Sequence, residues 1–374
     1  MYKICTRCVM DNKSDPCISF EKDGTCNYCN EALKKMPNRY FPNEEGRRKL
    51  DALIVELKEK NKSQKYDCFM GLSGGLDSSY LAHYVCKEYG LRVLAIHIDD
   101  GFDTEISKRN ITRLVEKYGI DLINITPNKE QYYALTLAFI KAGVPNIAIP
   151  QDNVLFSSLY KYMEENNIEF FLSGGNFSLE SILQRGYTHD AYDRKHIFDI
   201  NRRFGSTALD KLPILSRFQK EVVLPRKKKI ITIYPLDYIK YERDAAWREL
   251  QESVGFEYYG AKHWESKFTK FMQTYYLYKK FGVDKRKSHL SSMIISNQIS
   301  RDECLKELSD MPYQDENIRK DIQDICALLG ITPDEMEHYV TGPGHEHGEY
   351  ATSKNLWKYP LEIERRIKKF LKKK

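Results

Sequence analysis

The stretch Phe69-Met-Gly-Leu-Ser-Gly-Gly-Leu-Asp-Ser-Ser79 decides the fold. An apolar run from Cys68 to Leu72 enters it, and Tyr80-Leu-Ala-His-Tyr-Val-Cys86 leaves it with helical apolar spacing. The local expectation is a strand, a tight glycine-rich turn and a helix start. Gly74 and Gly75 let backbone N–H groups approach an anion where a side chain would block it. Ser73, Ser78 and Ser79 add hydroxyl donors, and the new helix points its positive end at the same place. This is a phosphate cradle, but the pattern G-x-x-x-x-G-K-[ST] is absent, so it is not a Walker A loop. Asp77 adds a carboxylate that would repel a phosphate unless a cation such as Mg²⁺ bridges the two.

Outward from this loop, short apolar runs alternate with helical patterns. Arg92–Ile98, Leu122–Ile125, Phe170–Leu172 and Ile230–Tyr234 read as strands. Glu44–Asn61, Glu105–Tyr118, Lys129–Ala142 and Asp152–Asn166 read as helices. The alternation predicts an α/β fold with a doubly wound, mainly parallel sheet, whose ligands sit beyond the carboxyl ends of the strands. Two further loops open at such ends: Asp99-Asp-Gly-Phe102, and Ser173-Gly-Gly-Asn-Phe-Ser178. Residues 179–229 form an insertion without clear periodicity, the kind of excursion that serves as a binding element or lid. From Tyr238 the chain turns helical and charge-rich, with capping patterns at Ser300/Glu303 and Thr332/Glu335. The division expected is a four-cysteine module at 1–45, a nucleotide domain at 46–238 and a helical substrate or partner region at 239–374.

Cys5-Thr-Arg-Cys8 and Cys26-Asn-Tyr-Cys29 are two knuckles able to supply four thiolates to a tetrahedral Zn²⁺. Such a metal would be structural, holding together a module too small to fold on apolar burial alone. Gly342-Pro-Gly-His-Glu-His-Gly348 places His345 and His347 around Glu346, and without an evident third ligand it reads as a flexible surface loop.

The chain of 374 residues is 30% charged and 41% hydrophobic, as in globular proteins. It has no run of about 18 apolar residues and no signal-like start at Met1, so a cytoplasmic, reducing location is expected. A net charge of +6 suits an acidic substrate better than nucleic acid. Its basic clusters, Arg226–Lys229 and Arg365–Lys374, read as solvated faces.

Ser73-Gly-Gly-Leu-Asp-Ser-Ser79 resembles the SGGxDS signature of the PP-loop ATP pyrophosphatases. That likeness implies cleavage of ATP between the α and β phosphates, with the AMP half activating a carbonyl oxygen. Three features occur in the order found in the N-acetyl sugar amidotransferases of bacterial surface-polysaccharide (LPS, O-antigen) biosynthesis. They are the four-cysteine module, the SGGLDSS loop, and a late segment. The late segment comprises Lys262-His-Trp-Glu-Ser-Lys-Phe-Thr-Lys-Phe271, Phe281-Gly-Val-Asp-Lys-Arg-Lys-Ser-His-Leu-Ser-Ser292 and Gln298-Ile-Ser-Arg-Asp-Glu303.

The resemblance implies conversion of an N-acetyl group on a sugar, often nucleotide-linked, into an acetamidino group at the expense of ATP. Ser73, Gly74, Gly75, Ser78 and Ser79 would hold pyrophosphate and Asp77 would anchor Mg²⁺. Asp99 and Asp100 would meet ribose or adenine, and Gly174, Gly175 and Asn176 would complete the nucleotide wall. Lys285, Arg286 and Lys287 would neutralise charge building on the phosphates. Lys262, His263 and Glu265 would position the sugar or act as general bases. No glutaminase signature is present, so ammonia would come from a separate glutaminase subunit like that of histidine biosynthesis, with a cyclase-like companion. A tRNA thiolase of the same superfamily is the alternative reading.

Overall fold

A computed structural model describes residues 1–166, 168–224, 230–313 and 315–353. Its centre is a five-stranded sheet of order β3-β2-β1-β4-β5, parallel throughout. The strands are β1 (Cys68–Gly71), β2 (Val93–Ile98), β3 (Asp121–Ile125), β4 (Phe170–Leu172) and β5 (Ile231–Ile233). Alternate side chains feed two cores, as a strand's period of two dictates. Cys68, Met70, Val93 and Ala95 face Leu50, Leu81, Val85 and Leu250 on one side. Phe69, Leu94 and Ile96 face Leu159 and Met163 on the other. The chain runs from β1 outward to β3, then returns to the other side of β1 for β4 and β5. The loops after β1 and β4 therefore flank the crevice where the winding reverses.

The helices match the sequence expectation closely: Glu44–Lys60, Leu76–Tyr89, Glu105–Tyr118, Lys129–Ala142 and Ile149–Asn166. Both late capping boxes form, opening the helices Arg301–Glu307 and Pro333–Thr341. The insertion is more ordered than its composition suggests. Asp193 caps a helix at Arg194–Phe204, whose Ile197 and Ile200 pack against the helix Lys129–Ala142 and the C-terminal helices. One continuous helix runs from Lys267 to Phe281, with wider π turns over Phe271–Tyr276, and ends at Gly282 with φ +67°. The basic clusters Arg226–Lys229 and Arg365–Lys374 lie outside the described residues. Among the described residues no helix is long and apolar enough to cross a membrane.

The Gly342–Gly348 loop corrects the surface-loop expectation. His347 is buried, its ring stacked on His189, with Nδ1 3.0 Å from His196 Nε2. His345 stays on the surface beside Glu349. The histidine partners of His347 come from the insertion, more than 150 positions away in sequence for His196, so the local pattern could not announce them.

Candidate active site

The loop after β1 turns as its sequence demands. Gly74 has φ +72°, and a Cβ there would lie 2.3 Å from the Ser107 carbonyl oxygen, so only glycine fits. Ser73 and Ser78 draw the loop closed, with their hydroxyls 3.1 Å apart and the Gly75 N–H donating to Ser73 Oγ. The helix Leu76–Tyr89 begins at Gly75, and the β4 loop presses on its first turn: a Cβ on Gly174 would lie 3.2 Å from Ser78 N. Together these residues border a cavity of about 440 Å³ lined by Ser73, Gly75, Asp77, Ser78, Gly174 and Gly175. Gly74 and Ser79 lie behind the lining; Gly74 is spent on packing, and the Ser79 hydroxyl is buried beneath the loop.

Asp77 is held from two directions. Its Oδ1 accepts from the buried Tyr241 hydroxyl at 2.5 Å, and its Oδ2 pairs with the Lys262 ammonium. Burial would raise the Asp77 pKa, but Lys262 and then Tyr241 hold it below the usual carboxylate range. Lys262 also reaches Glu180 Oε1 at 3.0 Å. Burial disfavours its charge, yet Asp77 and Glu180 outweigh that and raise its pKa above that of a free lysine. An ammonium clamped by two carboxylates stays protonated, so Lys262 can offer charge and hydrogen bonds but cannot serve as a base. Glu265 closes the mouth: a Cβ on Gly75 would lie 2.5 Å from its Oε1, and its buried Oε2 has no partner among the described residues. Carboxylates beside serine hydroxyls fit a hard cation such as Mg²⁺, which is held by one or two carboxylates and leans on substrate phosphates for its other ligands.

A second cavity of about 470 Å³ shares Ser73, Phe156, Ser173, Gly174, His263 and Glu265 with the first. Its floor is the apolar ends of β1, β2 and β4, including Leu72, Ile96 and Leu172. Its rim carries Asp100, Asp103, Gln151, Asp152 and Lys285. The late segment reaches this rim because it adds a bridge to the loop after β2: Thr104 N–H donates to the Glu265 carbonyl and Lys267 N–H to that of Phe102. Burial and then Asp103 push the Asp100 carboxyl up to about 6; Tyr132 and Gln151 donate to it. Asp152 is likewise pushed up to about 6 by burial, with His263 opposing. His97, a polar residue inside an apolar strand, sets one ring nitrogen 2.9 Å from the Leu72 carbonyl and the other 3.0 Å from Asp103. Burial lowers its pKa, but the Asp103 carboxylate more than compensates and raises it above that of a free histidine. His263 itself has φ +67°, in the left-handed region that a histidine seldom adopts.

Several candidates stand apart from both cavities. The Asp99 carboxylate accepts from Gly101 N–H, and Asn176 is spent capping the helix Phe177–Glu180. The Arg286 guanidinium is taken by Asp284 and by the carbonyls of Glu307 and Asp310. Lys287 pairs with the buried Asp11. Of that basic trio, only Lys285 reaches a cavity. Residues the motif reading missed are Glu180, Tyr241, His97, Asp103, Gln151 and Asp152. A histidine in an apolar strand was a usable signal for His97; for Tyr241 and Glu180 there was none.

Cys5, Cys8, Cys26 and Cys29 converge with all four sulfurs within 4.8 Å of one another, and all four residues are buried. Cys5 and Cys29 sulfurs lie 3.7 Å apart, and those of Cys8 and Cys26 lie 3.6 Å apart. A tetrahedron with zinc–sulfur bonds of about 2.3 Å has an edge of about 3.8 Å, so the cage fits a single tetrahedral metal ion such as Zn²⁺. Backbone N–H groups of Cys8 and Cys26 point at Cys5 Sγ, a setting that suits thiolates. The module docks firmly: Arg301 donates to the carbonyls of Cys5 and Cys8, and Asp15 accepts from the N–H groups of Arg185 and Gly186.

A doubly wound parallel sheet with a glycine-rich loop at its switch point, a four-cysteine cage and a helical C-terminal region defines an α/β protein whose Ser73–Ser79 loop is similar to the SGGxDS signature. More particularly, residues 265–364 match the family described as LPS biosynthesis protein WbpG-like, C-terminal domain. An uncharacterized protein of Methanocaldococcus jannaschii is 25% identical over 119 residues, 32% of this chain and 41% of that relative, so the match spans about two fifths of the relative's length. Among solved structures, the NMN synthetase of Francisella tularensis is similar with a TM-score of 0.34 at 13% identity, over 80% of this chain and 97% of that one. The U34-tRNA thiolase NcsA of Methanococcus maripaludis, with its [4Fe-4S] cluster, gives 0.32 at 16%, over 82% and 89%. The NH3-dependent NAD synthetase of Campylobacter jejuni gives 0.29 at 17%, over 42% and 72%.

Proposed function

We propose that this chain is an ATP-dependent amidotransferase acting on an N-acetylated sugar in surface-glycan biosynthesis. The observation that carries the reading is the shared wall: a phosphate cradle opens through Ser73, Gly174, His263 and Glu265 into a second, sugar-sized cavity. An α-phosphate at the head of the cradle would face whatever that cavity holds.

An amide oxygen is a poor leaving group, so ammonia cannot displace it directly. In the proposed reaction the amide oxygen of the sugar attacks the α-phosphorus, the bond to the β-phosphate breaks, and pyrophosphate departs. The cradle donors and Lys262 would take up the charge that grows on pyrophosphate, an arrangement most effective in a buried site. Ammonia then adds to the imidate carbon, the carbon–oxygen bond breaks, and AMP leaves with the oxygen. The product leaves as an amidinium, which keeps the amide N–H and two of the three protons that ammonia brought; the third goes to a departing phosphate. Asp77 would hold Mg²⁺, whose role is to neutralise the phosphates. Glu265 and His263, on the shared wall, would orient the amide.

Free ammonia is scarce at neutral pH, and we propose that a separate glutaminase subunit, possessing a cyclase-like companion, delivers it. Sulfur transfer finds less support, because it calls for a reactive thiol at the site. Among the described residues no cysteine lines either cavity, and burial raises the pKa of Cys68 and pushes those of Cys86 and Cys304 up to about 12. The test is incubation with ATP, Mg²⁺, ammonium chloride at alkaline pH and a panel of UDP-N-acetyl sugars. The expected result is AMP and pyrophosphate together with a sugar lighter by the difference between O and NH. AMP release without a nitrogen-bearing sugar product would overturn the reading.

A further inference from the structure

We infer that Lys285 recognises an oxyanion, a carboxylate or a phosphate, carried by the second substrate, and that this group fixes the substrate's orientation in the second cavity. This rests on the reading of that cavity as the acceptor site.

Lys285 lines the second cavity and not the phosphate cradle. Its neighbours in sequence are both committed to ion pairs, Arg286 to Asp284 and Lys287 to Asp11. Lys285 has no such partner: among the described residues no carboxylate lies within ion-pair distance of its ammonium, and no carbonyl accepts from it. The nearest opposing charge is Asp15, and Asp15 is already engaged. Its oxygens accept from the Tyr28 hydroxyl and from the N–H groups of Cys17, Arg185 and Gly186. The ring nitrogens of His289 are buried with no hydrogen-bond partner among the described residues; burial and then the neighbouring His263, Lys262 and Lys285 lower its pKa.

Lys285 is half-buried, and an ammonium drawn away from water with no counter-charge is costly; proteins keep one where a ligand supplies the missing anion. Burial accordingly pushes the Lys285 pKa down to about 8. The carboxyl groups of the cavity cannot fill this role. Asp103 is paired with His97, and Asp100 is hydrogen-bonded to Tyr132 and Gln151. Among the described residues, the cavity therefore offers carboxyl groups beside the cradle and one lysine without an ion-pair partner elsewhere on its lining. A sugar with its N-acetyl group at the shared wall and an anionic substituent at Lys285 satisfies both.

The experiment is calorimetric titration of the full chain with four probes: N-acetylglucosamine, N-acetylglucosaminuronate, UDP-N-acetylglucosamine and UDP-N-acetylglucosaminuronate. Titrations are repeated on Lys285→Met and Lys285→Arg. Removing an unpaired, half-buried charge spares the fold, which thermal melting checks. At least one anionic probe is expected to bind tenfold or more tighter than N-acetylglucosamine, with the preference lost in Lys285→Met and largely kept in Lys285→Arg. The free uronate shows whether the carboxylate suffices, and the UDP-sugar whether the diphosphate does. Failure of every anionic probe to exceed the neutral one overturns the inference. So does a preference that survives in Lys285→Met, or a Lys285→Met defect confined to ATP. Because binding is read without turnover, a failed amidation reaction leaves this outcome legible, and the reverse holds too.

Discussion

The phosphate cradle and the second cavity meet at His263 and Glu265, yet they are built in opposite ways. The floor of the cradle is one loop of seven residues, closed by its own serine hydroxyls and forced by a glycine with no room for a methyl group, and the β4 loop and the late segment wall it in. The second cavity is gathered from strand ends, the helix Ile149–Asn166, the insertion, the π-turned helix and Lys285. Contiguous construction makes a generic device that tolerates change elsewhere. Dispersed construction makes a selective one that depends on distant supports. Among those supports is the cysteine cage, since Asp15 pins Arg185 and Gly186 immediately before Tyr187 and Thr188 of the cavity wall.

The largest expected effect tests the cradle. Asp77→Asn removes the charge that would anchor Mg²⁺ and leaves Lys262 facing only Glu180. AMP formation is expected to fall by about a thousandfold or more, as when a charge aimed at a transition state is lost. Binding of the sugar to the second cavity should change little. Rapid-quench measurement of AMP, with sugar titration alongside, checks both halves; equal loss of sugar binding would dissolve the distinction between the cavities.

That same contrast explains what could be read from sequence. The strand, turn and helix from Cys68 to Tyr89 follow from residues in contact along the chain, and so do the capping boxes at Ser300 and Thr332. Asp77 was legible as the carboxylate of the loop, but Lys262 and Tyr241, which hold it, sit 185 and 164 positions away. The cysteine cage was legible because its knuckles are local; its docking on Arg301 and Arg185 was not. Lys285, Arg286 and Lys287 read as one basic group. A turn into the helix Arg286–Ile295 sends them to three different environments, and only tertiary packing decides which.

The next effect tests the dependence on the cage. In Cys5→Ser with Cys8→Ser the zinc should be lost, by elemental analysis, and Asp15 should no longer hold the wall. The sugar KM is expected to rise about tenfold or more, since misplacing a positioning element by an ångström costs that order, while ATP affinity stays within about twofold. A variant that keeps its zinc would place the ligands elsewhere. One that loses both substrates equally would show the cage supporting the whole fold rather than the cavity.

A smaller effect concerns the histidine cluster behind the same wall. Burial and then the neighbouring His189 push His196 down to about 4, so it is neutral when folded. The unfolded chain takes up a proton near pH 6.5, before the folded one does. Stability is therefore complete above that pH and falls as the pH drops toward 4, by on the order of 3 kcal/mol from this group. Urea unfolding at pH 7 and pH 5 should show the decline, and His196→Gln should flatten it. Because His347 accepts from Asn146 N–H on the cavity rim, acid should also weaken sugar binding before ATP binding.

The smallest effect lies at the junction. A histidine at φ +67° carries backbone strain of about 1 kcal/mol, and such strain persists only where the surroundings impose it. Here the constraint comes from Lys262 on one side, drawn to Asp77, and Glu265 on the other, tied through its carbonyl to Thr104 N–H. The turn presents His263 to both cavities because its two neighbours are pulled in different directions. Asparagine tolerates the left-handed conformation better and keeps a polar side chain, so His263→Asn should hold stability level or raise it by up to about 1 kcal/mol. Turnover should nonetheless fall, with ATP and sugar affinities nearly unchanged, because the residue lost faces both cavities. Single-turnover kinetics beside a melting curve separates the two quantities. Undiminished turnover would mean that the strained turn serves only to hold Lys262 and Glu265 in place, and that the junction is scaffolding between two sites rather than part of the chemistry that joins them.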